Sequence, residues 1–124
     1  MKNSEIISSF LNLIKDAESD YQYAIEAQKV EETKTQDILH MLELDSLNYK
    51  ERAKLATQLQ EIRKVRRKYK DEVEELEEIV RFKREHENFL KLLRELLGRQ
   101  RKIENIHDNR HYVPKIIKRV KDEL

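Results

Sequence analysis

YKERAKLATQLQEIRKVRRKYKDEVEELEEIVRFK, residues 49–83, decides the fold. The stretch contains neither Gly nor Pro. Leu55, Leu59, Ile62, Tyr69, Val73, Leu76 and Val80 recur in it at alternating steps of four and three. Only Arg66 interrupts the series. An apolar row repeating every 3.5 residues is what a helix needs to lie along another helix. At about 1.5 Å per residue such a helix is roughly 50 Å long. That exceeds the width of a compact domain of this mass. The spacing predicts an elongated molecule, or a row shared with a partner chain.

Upstream, Asn3 or Ser4 is positioned to cap a first helix, with Glu5 in its first turn. Ile7, Phe10, Ile14, Ala17, Tyr21 and Ala24 then form a row. Gln28, Glu31 and Thr35 continue the spacing with polar side chains, and Ile38 and Leu42 restore it. The first helix therefore spans roughly residues 4–44 and has a polar waist. Asp45-Ser46-Leu47-Asn48 supplies turn and cap formers, and Glu51 follows Asn48 by three residues as in a capping box. A connection this short makes the two helices antiparallel. Folding back there brings Gln28 and Glu31 opposite the neighbourhood of Arg66. The expectation is a polar layer in which Arg66 bonds Glu31 or Gln28, fixing register at some cost in stability. The alternative is that Arg66 reaches outward along its apolar stem.

Downstream the row changes phase. Ile79, Phe82, His86, Phe89, Leu93, Leu96 and Ile103 form a new series. The shift near residues 81–88 implies a sharp bend or a second turn, with Asn88 capping a third helix that runs to about Ile106. Gly98 within it either permits close helix contact or marks a kink. Pro114 is suited to open a short last helix, with Ile116, Ile117, Val120 and Leu124 on one side.

The single Gly and single Pro, with 41% charged and 6% aromatic residues, argue for one all-helical domain over residues 1–124, without a thick globular core. The reading is an all-α, elongated antiparallel helical hairpin or bundle: two long helices, a third shorter one and a short C-terminal helix. Charge is unevenly spread. Residues 1–44 carry nine acids against four bases, and the C-terminal segment 99–121 carries eight bases against two acids. The two ends are expected to attract each other. In the second helix, six bases between Arg63 and Lys70 precede six acids between Asp71 and Glu78. Local pairs such as Arg67 with Asp71 and Lys70 with Glu74 follow from the i,i+4 spacing, and the block pattern suits alignment of two copies.

The chain has no Cys, which removes disulfides, thiol nucleophiles and Cys-bound zinc and suits a reducing cytoplasm. No apolar run approaches the ~20 residues that cross a bilayer, and residues 1–13 do not read as a secretory signal. The closing Lys121-Asp122-Glu123-Leu124 matches an ER-retrieval tetrapeptide, but without an entry signal it is read as chance.

Several clusters carry candidate chemistry. His107 and His111 lie four apart, as in a zinc-protease helix, but Asn109 and Pro114 disfavour a helix there and no third ligand is evident. No metal or other cofactor is called for. Arg99, Arg101, Lys102, Arg110, His111 and Tyr112 offer forked donors and a stacking ring, which suits the phosphate and base of a nucleotide or nucleic acid. A solvated basic end is the plainer reading. No Gly-rich phosphate loop occurs, and the carboxylates alternate with Lys and Arg, so catalysis has little support.

The run Tyr49-Lys50-Glu51-Arg52-Ala53-Lys54-Leu55-Ala56-Thr57, continued by Arg66-Arg67-Lys68-Tyr69-Lys70-Asp71 and by Asn109-Arg110-His111-Tyr112-Val113-Pro114, resembles small uncharacterised proteins encoded by phages and prophages of Gram-positive bacteria. The likeness covers residues 40–115. It implies a cytoplasmic phage product acting on a host or defence component, and it assigns no functional residue. The expected function is non-enzymatic: a helical interaction protein binding itself or a host protein. A nucleotide or nucleic-acid binder is the alternative, and a hydrolase using His107 and His111 is the weakest reading.

Overall fold

The computed structural model describes residues 1–120. Three helices account for most of it: α1 (Asn3–Leu44), α2 (Tyr49–Glu85) and α3 (Glu87–Asp108). No strand occurs among the described residues, so the all-α reading holds. The closing tetrapeptide, including Lys121 and Leu124, lies outside the described residues.

α1 and α2 fold back on each other through residues 45–48. Asn48 caps α2 by accepting the Glu51 N–H at 2.8 Å, and its own N–H donates to Glu51 Oε1 at 3.4 Å. This is the expected capping box. The start of α1 is held differently. Lys2, not Asn3 or Ser4, is the cap residue, and its N–H donates to Glu5 Oε2. The buried Ser4 N–H donates to Glu104 of α3, so a carboxylate from another helix satisfies a free donor at the helix end.

The α1–α2 seam is thin. Ala17 and Ala24, the latter 0% exposed, let α2 approach closely. On α2 only Val80 is fully buried, while Leu55, Leu59, Ile62, Val73 and Leu76 are half-buried. One helix covers a row from one side only, so half-burial is what a two-helix seam provides. Phe10 and Leu42, expected in the α1 row, are exposed. Tyr23 meets Tyr69 edge-on across the seam at 6.2 Å between ring centres, and the Tyr23 hydroxyl pushes the Tyr69 phenol above its ordinary range.

The polar waist departs from expectation. Glu31 is buried, at 8% exposure, but its carboxylate pairs with Lys34 of its own helix at 3.0 Å. Arg66 pairs with Glu32, at 3.4 Å, on the open edge of the seam. Gln28 is half-buried and bonds neither. The flexible Arg66 stem reaches a carboxylate still in contact with water, which avoids the cost of drying both charges. The layer of Gln28, Glu31 and Arg66 is therefore not formed. Nor are the pairs of Arg67 with Asp71 and Lys70 with Glu74. Local pairs in α2 instead join Lys64 to Glu61 and Arg81 to Glu77 and Glu78.

α2 and α3 meet at a bend. His86 alone separates them, with φ −127° and ψ 40°. That ψ is about 80° from the helical value. His86 still donates to the Phe82 carbonyl at 3.0 Å and accepts from the Leu90 N–H at 3.1 Å. Seam positions between Val80 and Leu90 are held by the charged Lys83 and Glu87. The Phe82 ring packs on both His86 and Phe89, bridging the bend. Asn88 is not the cap of α3; His86 is, without a side-chain bond.

Beyond the bend, α3 hardly touches α2 and lies antiparallel along the first part of α1. Its buried row is Leu90 and Leu97, with half-buried Leu93 between them. The expected row through Phe89, Leu96 and Ile103 is displaced by one position, about 100° around the helix. After Asp108 no helix occurs through residue 119. Ile116 and Ile117 are exposed and have no surface to cover, so a helix this short has nothing to stabilise it. The tail is tied instead by the Arg119 guanidinium donating to the Tyr112 carbonyl.

Candidate interaction surface

Where α1 and α3 lie side by side, their register is set by three contacts: Lys2 with Asp108, Ser4 with Glu104 and Ser8 with Arg101. The pair presents two unlike sides.

One side is a cleft of about 380 Å³ floored by Leu11, Ile14, Leu90 and Leu97. Its rim carries Lys15, Lys83, Arg94 and Arg101, and Ser8 and Asn12 also line it. Lys83 is engaged at 3.0 Å with Glu18, which also accepts from Arg84 at 3.0 Å. Those two bonds, Arg84 first, hold the Glu18 carboxyl below the usual carboxylate range. Arg101 donates to Ser8 Oγ at 3.4 Å. Lys15 and Arg94 form no ion pair among the described residues.

The opposite side is apolar. Ile6 and Leu13 sit two residues from Ser8 and Lys15 of the cleft, and Leu92 and Ile103 two residues from Arg94 and Arg101. Two residues is about 200° around a helix, so these side chains emerge on the far side of both helices. Ile6, Phe10 and Leu13 make the α1 edge of this face, and all are exposed. Phe89, Leu92, Leu96, Ile103 and Ile106 make the α3 edge. Leu92 is 61% exposed and Ile106 59%, while Leu96 is half-buried. Contiguous exposed apolar patches of this kind mark interaction sites.

No family model matches the chain, and neither a curated protein nor a solved structure matches it. Its surfaces are therefore the material from which function is read.

The expected anion site is not gathered in one place. Arg99 and Arg101 are about 200° apart on α3, so Arg101 faces the cleft while Arg99 lies in the apolar row and Lys102 beside it. Arg110, His111 and Tyr112 follow the end of α3 and are exposed. His107 is on α3 and His111 is past its end, so no helical turn joins them. No cluster of three metal-ligating side chains occurs among the described residues. The two ends lie together, but not through pairs of α1 acids with α3 bases. Acids of α1 pair with α2 bases, Glu18 with Lys83 and Arg84 and Glu32 with Arg66. Where α1 meets α3 the signs reverse, Lys2 pairing with Asp108 at 2.6 Å.

Sequence reasoning missed Ile6, Leu13, Leu92 and Ile106. Their signal is present: 6, 10, 13 and 89, 92, 96, 103, 106 keep helical spacing beside the buried rows. Lys15 and Arg94 carry no sequence signal, because only the fold places them around one cleft.

Proposed function

We propose that this chain is a non-enzymatic helical interaction protein that binds another protein through the apolar face of α1 and α3. The observation that carries this reading is the pair of exposed rows, Ile6-Phe10-Leu13 and Phe89-Leu92-Ile103-Ile106, side by side on one face. Apolar side chains at helical spacing are the anchors by which helices dock. The likeness to phage and prophage products extends the proposal: the partner is a bacterial host or defence component, or the chain itself, in a cytoplasmic setting. The test compares the full chain with Leu13→Glu/Leu92→Glu in cross-linking within a bacterial lysate. The variant keeps its helical circular dichroism and loses the cross-linked species. A variant that captures everything the wild type captures refutes the reading.

A second reading is favoured by the unpaired Lys15 and Arg94 over an aliphatic floor. It makes the cleft, not the tail, a site for a nucleotide or similar anion. The cleft has no aromatic ring to stack on a base, so it gives this reading less support. Calorimetric titration with a nucleoside triphosphate tests it, and absence of heat at millimolar ligand ends it.

A further inference from the structure

We infer that the partner seated on the apolar face is a second copy of this chain, paired antiparallel through α3 about a two-fold axis. This rests on the reading of that face as a docking surface and names its occupant.

The exposed α3 row occupies positions 89, 92, 96, 99, 103 and 106, again in steps of three and four, which is the spacing of a helix paired with a helix. Arg99 is its one charged member. A parallel pair mates each position with itself and sets Arg99 against Arg99. An antiparallel pair centred between residues 97 and 98 mates Phe89 with Ile106, Leu92 with Ile103 and Leu96 with Arg99. The two guanidinium groups then sit in different layers, each beside a leucine it can cover with its stem.

The flanking charges favour the same arrangement. Glu95 and Lys102 are exposed, stand one heptad apart along the same edge of the row, and form no ion pair among the described residues. The antiparallel pairing brings Glu95 of one copy beside Lys102 of the other, and the two-fold axis does so twice. In coiled-coil terms these edge positions choose partner and orientation. The α1 edge of the face widens the contact. Ile6 lies level with Ile103 and Leu13 with Leu96 in the observed register, so each copy offers a face two helices wide. A net charge of +1 leaves little overall repulsion between copies. Leu90 and Leu97 are already buried within each copy, so the packing of α3 on α1 does not depend on the partner and the pair is reversible, not obligate.

Sedimentation equilibrium of the full chain tests this. The expected mass approaches twice 15.1 kDa at high concentration and falls toward 15.1 kDa on dilution. Leu92→Glu is monomeric throughout. Glu95→Lys and Lys102→Glu each raise the dissociation constant about tenfold, since each changes both symmetric pairs. The double variant Glu95→Lys/Lys102→Glu recovers wild-type association, and unchanged circular dichroism shows that all variants fold. A wild type that stays monomeric overturns the inference, as does a double variant no tighter than either single one. If the wild type is monomeric while Leu13→Glu/Leu92→Glu still loses a different cross-linked protein, self-pairing fails and the docking reading stands. If that variant loses nothing, both fail.

Discussion

Gly98→Ala should stabilise the protein by about 1 kcal/mol, close to the full difference in helix propensity between the two residues. Gly98 is an interior residue of α3, which runs unbroken from Glu87 to Asp108, and it does not take a positive φ. Beyond its own turn of helix, a Cβ at this position has no heavy atom within 4 Å. Neither expectation raised by the sequence, a close helix contact or a kink, is met. The substitution thus removes backbone freedom from the unfolded chain without a clash in the folded one. For a chain of this size the gain corresponds to a rise in melting temperature of roughly 3–6 °C. Circular dichroism at the helical minimum, followed during heating and in urea, measures it, with an unchanged urea slope. Gly98 lies three residues after Glu95 and four before Lys102, on the charged edge beside the apolar row and not within it. The gain is read in dilute solution, where the chain unfolds as a single molecule. No gain, or a loss, would mean that α3 is not a continuous helix at Gly98 or that another surface closes on it.

Leu90→Ala removes a side chain only 3% exposed between α1 and α3 and should cost about 2–4 kcal/mol. Leu92→Ala, two residues on and exposed, should cost less than about 0.5 kcal/mol in dilute solution. Urea unfolding separates them. Glu18→Gln should lower the urea midpoint near neutral pH. The carboxyl titrates below its ordinary range when folded, because Arg84 and Lys83 bond its charged form. Its contribution is therefore present above the unfolded value and is lost as pH falls through the folded one. Wild type and variant should converge once the pH is below that folded value. Arg66→Leu should leave stability within about 1 kcal/mol, because an edge ion pair is worth little. A loss of several kcal/mol would show that a buried polar layer holds the seam after all.

The hairpin of α1 and α2 was legible because two independent signals agree there. The rows around Ile14, Ala24, Ile62 and Val73 keep one period, and Asp45 to Asn48 carries turn and cap chemistry. α3 was harder for a physical reason. It holds two apolar rows about 100° apart, one through Leu90 and Leu97 and one through Phe89 and Leu92. Periodicity finds both and does not say which is covered. The bend at His86 was half legible. The phase change marked it, but no Gly or Pro chose between bend and turn, and charged seam residues Lys83 and Glu87 account for the outcome. Arg66 was placed near the right carboxylates and bonded the neighbouring one, because a long side chain selects its partner by access to water. The tail spacing at Ile116 and Ile117 suggested a helix already begun there, but spacing without a surface to cover does not make one.

The placement of ion pairs explains why one end of the molecule is closed and the other open. Along α1 and α2 the seam is edged by cross-helix pairs, Glu18 with Lys83 and Arg84 and Glu32 with Arg66. Glu18 and Glu32 are two heptads apart, so these pairs hold one edge of that half solvated. Among the described residues the one ion pair joining the start of α1 to α3 is Lys2 with Asp108, at the tip. From Ile6 to Leu13 on one helix and Phe89 to Ile106 on the other, the apolar rows meet without an ion pair across them. Two helices can bury one row each against the other. α3 carries two rows, so packing on α1 leaves one uncovered whatever the details of side-chain fit. A third helix is what such a row requires, and α2 has been turned away from it at His86. In the proposed pair the covering helix comes from a second copy, because the α3 row, read in reverse, complements itself.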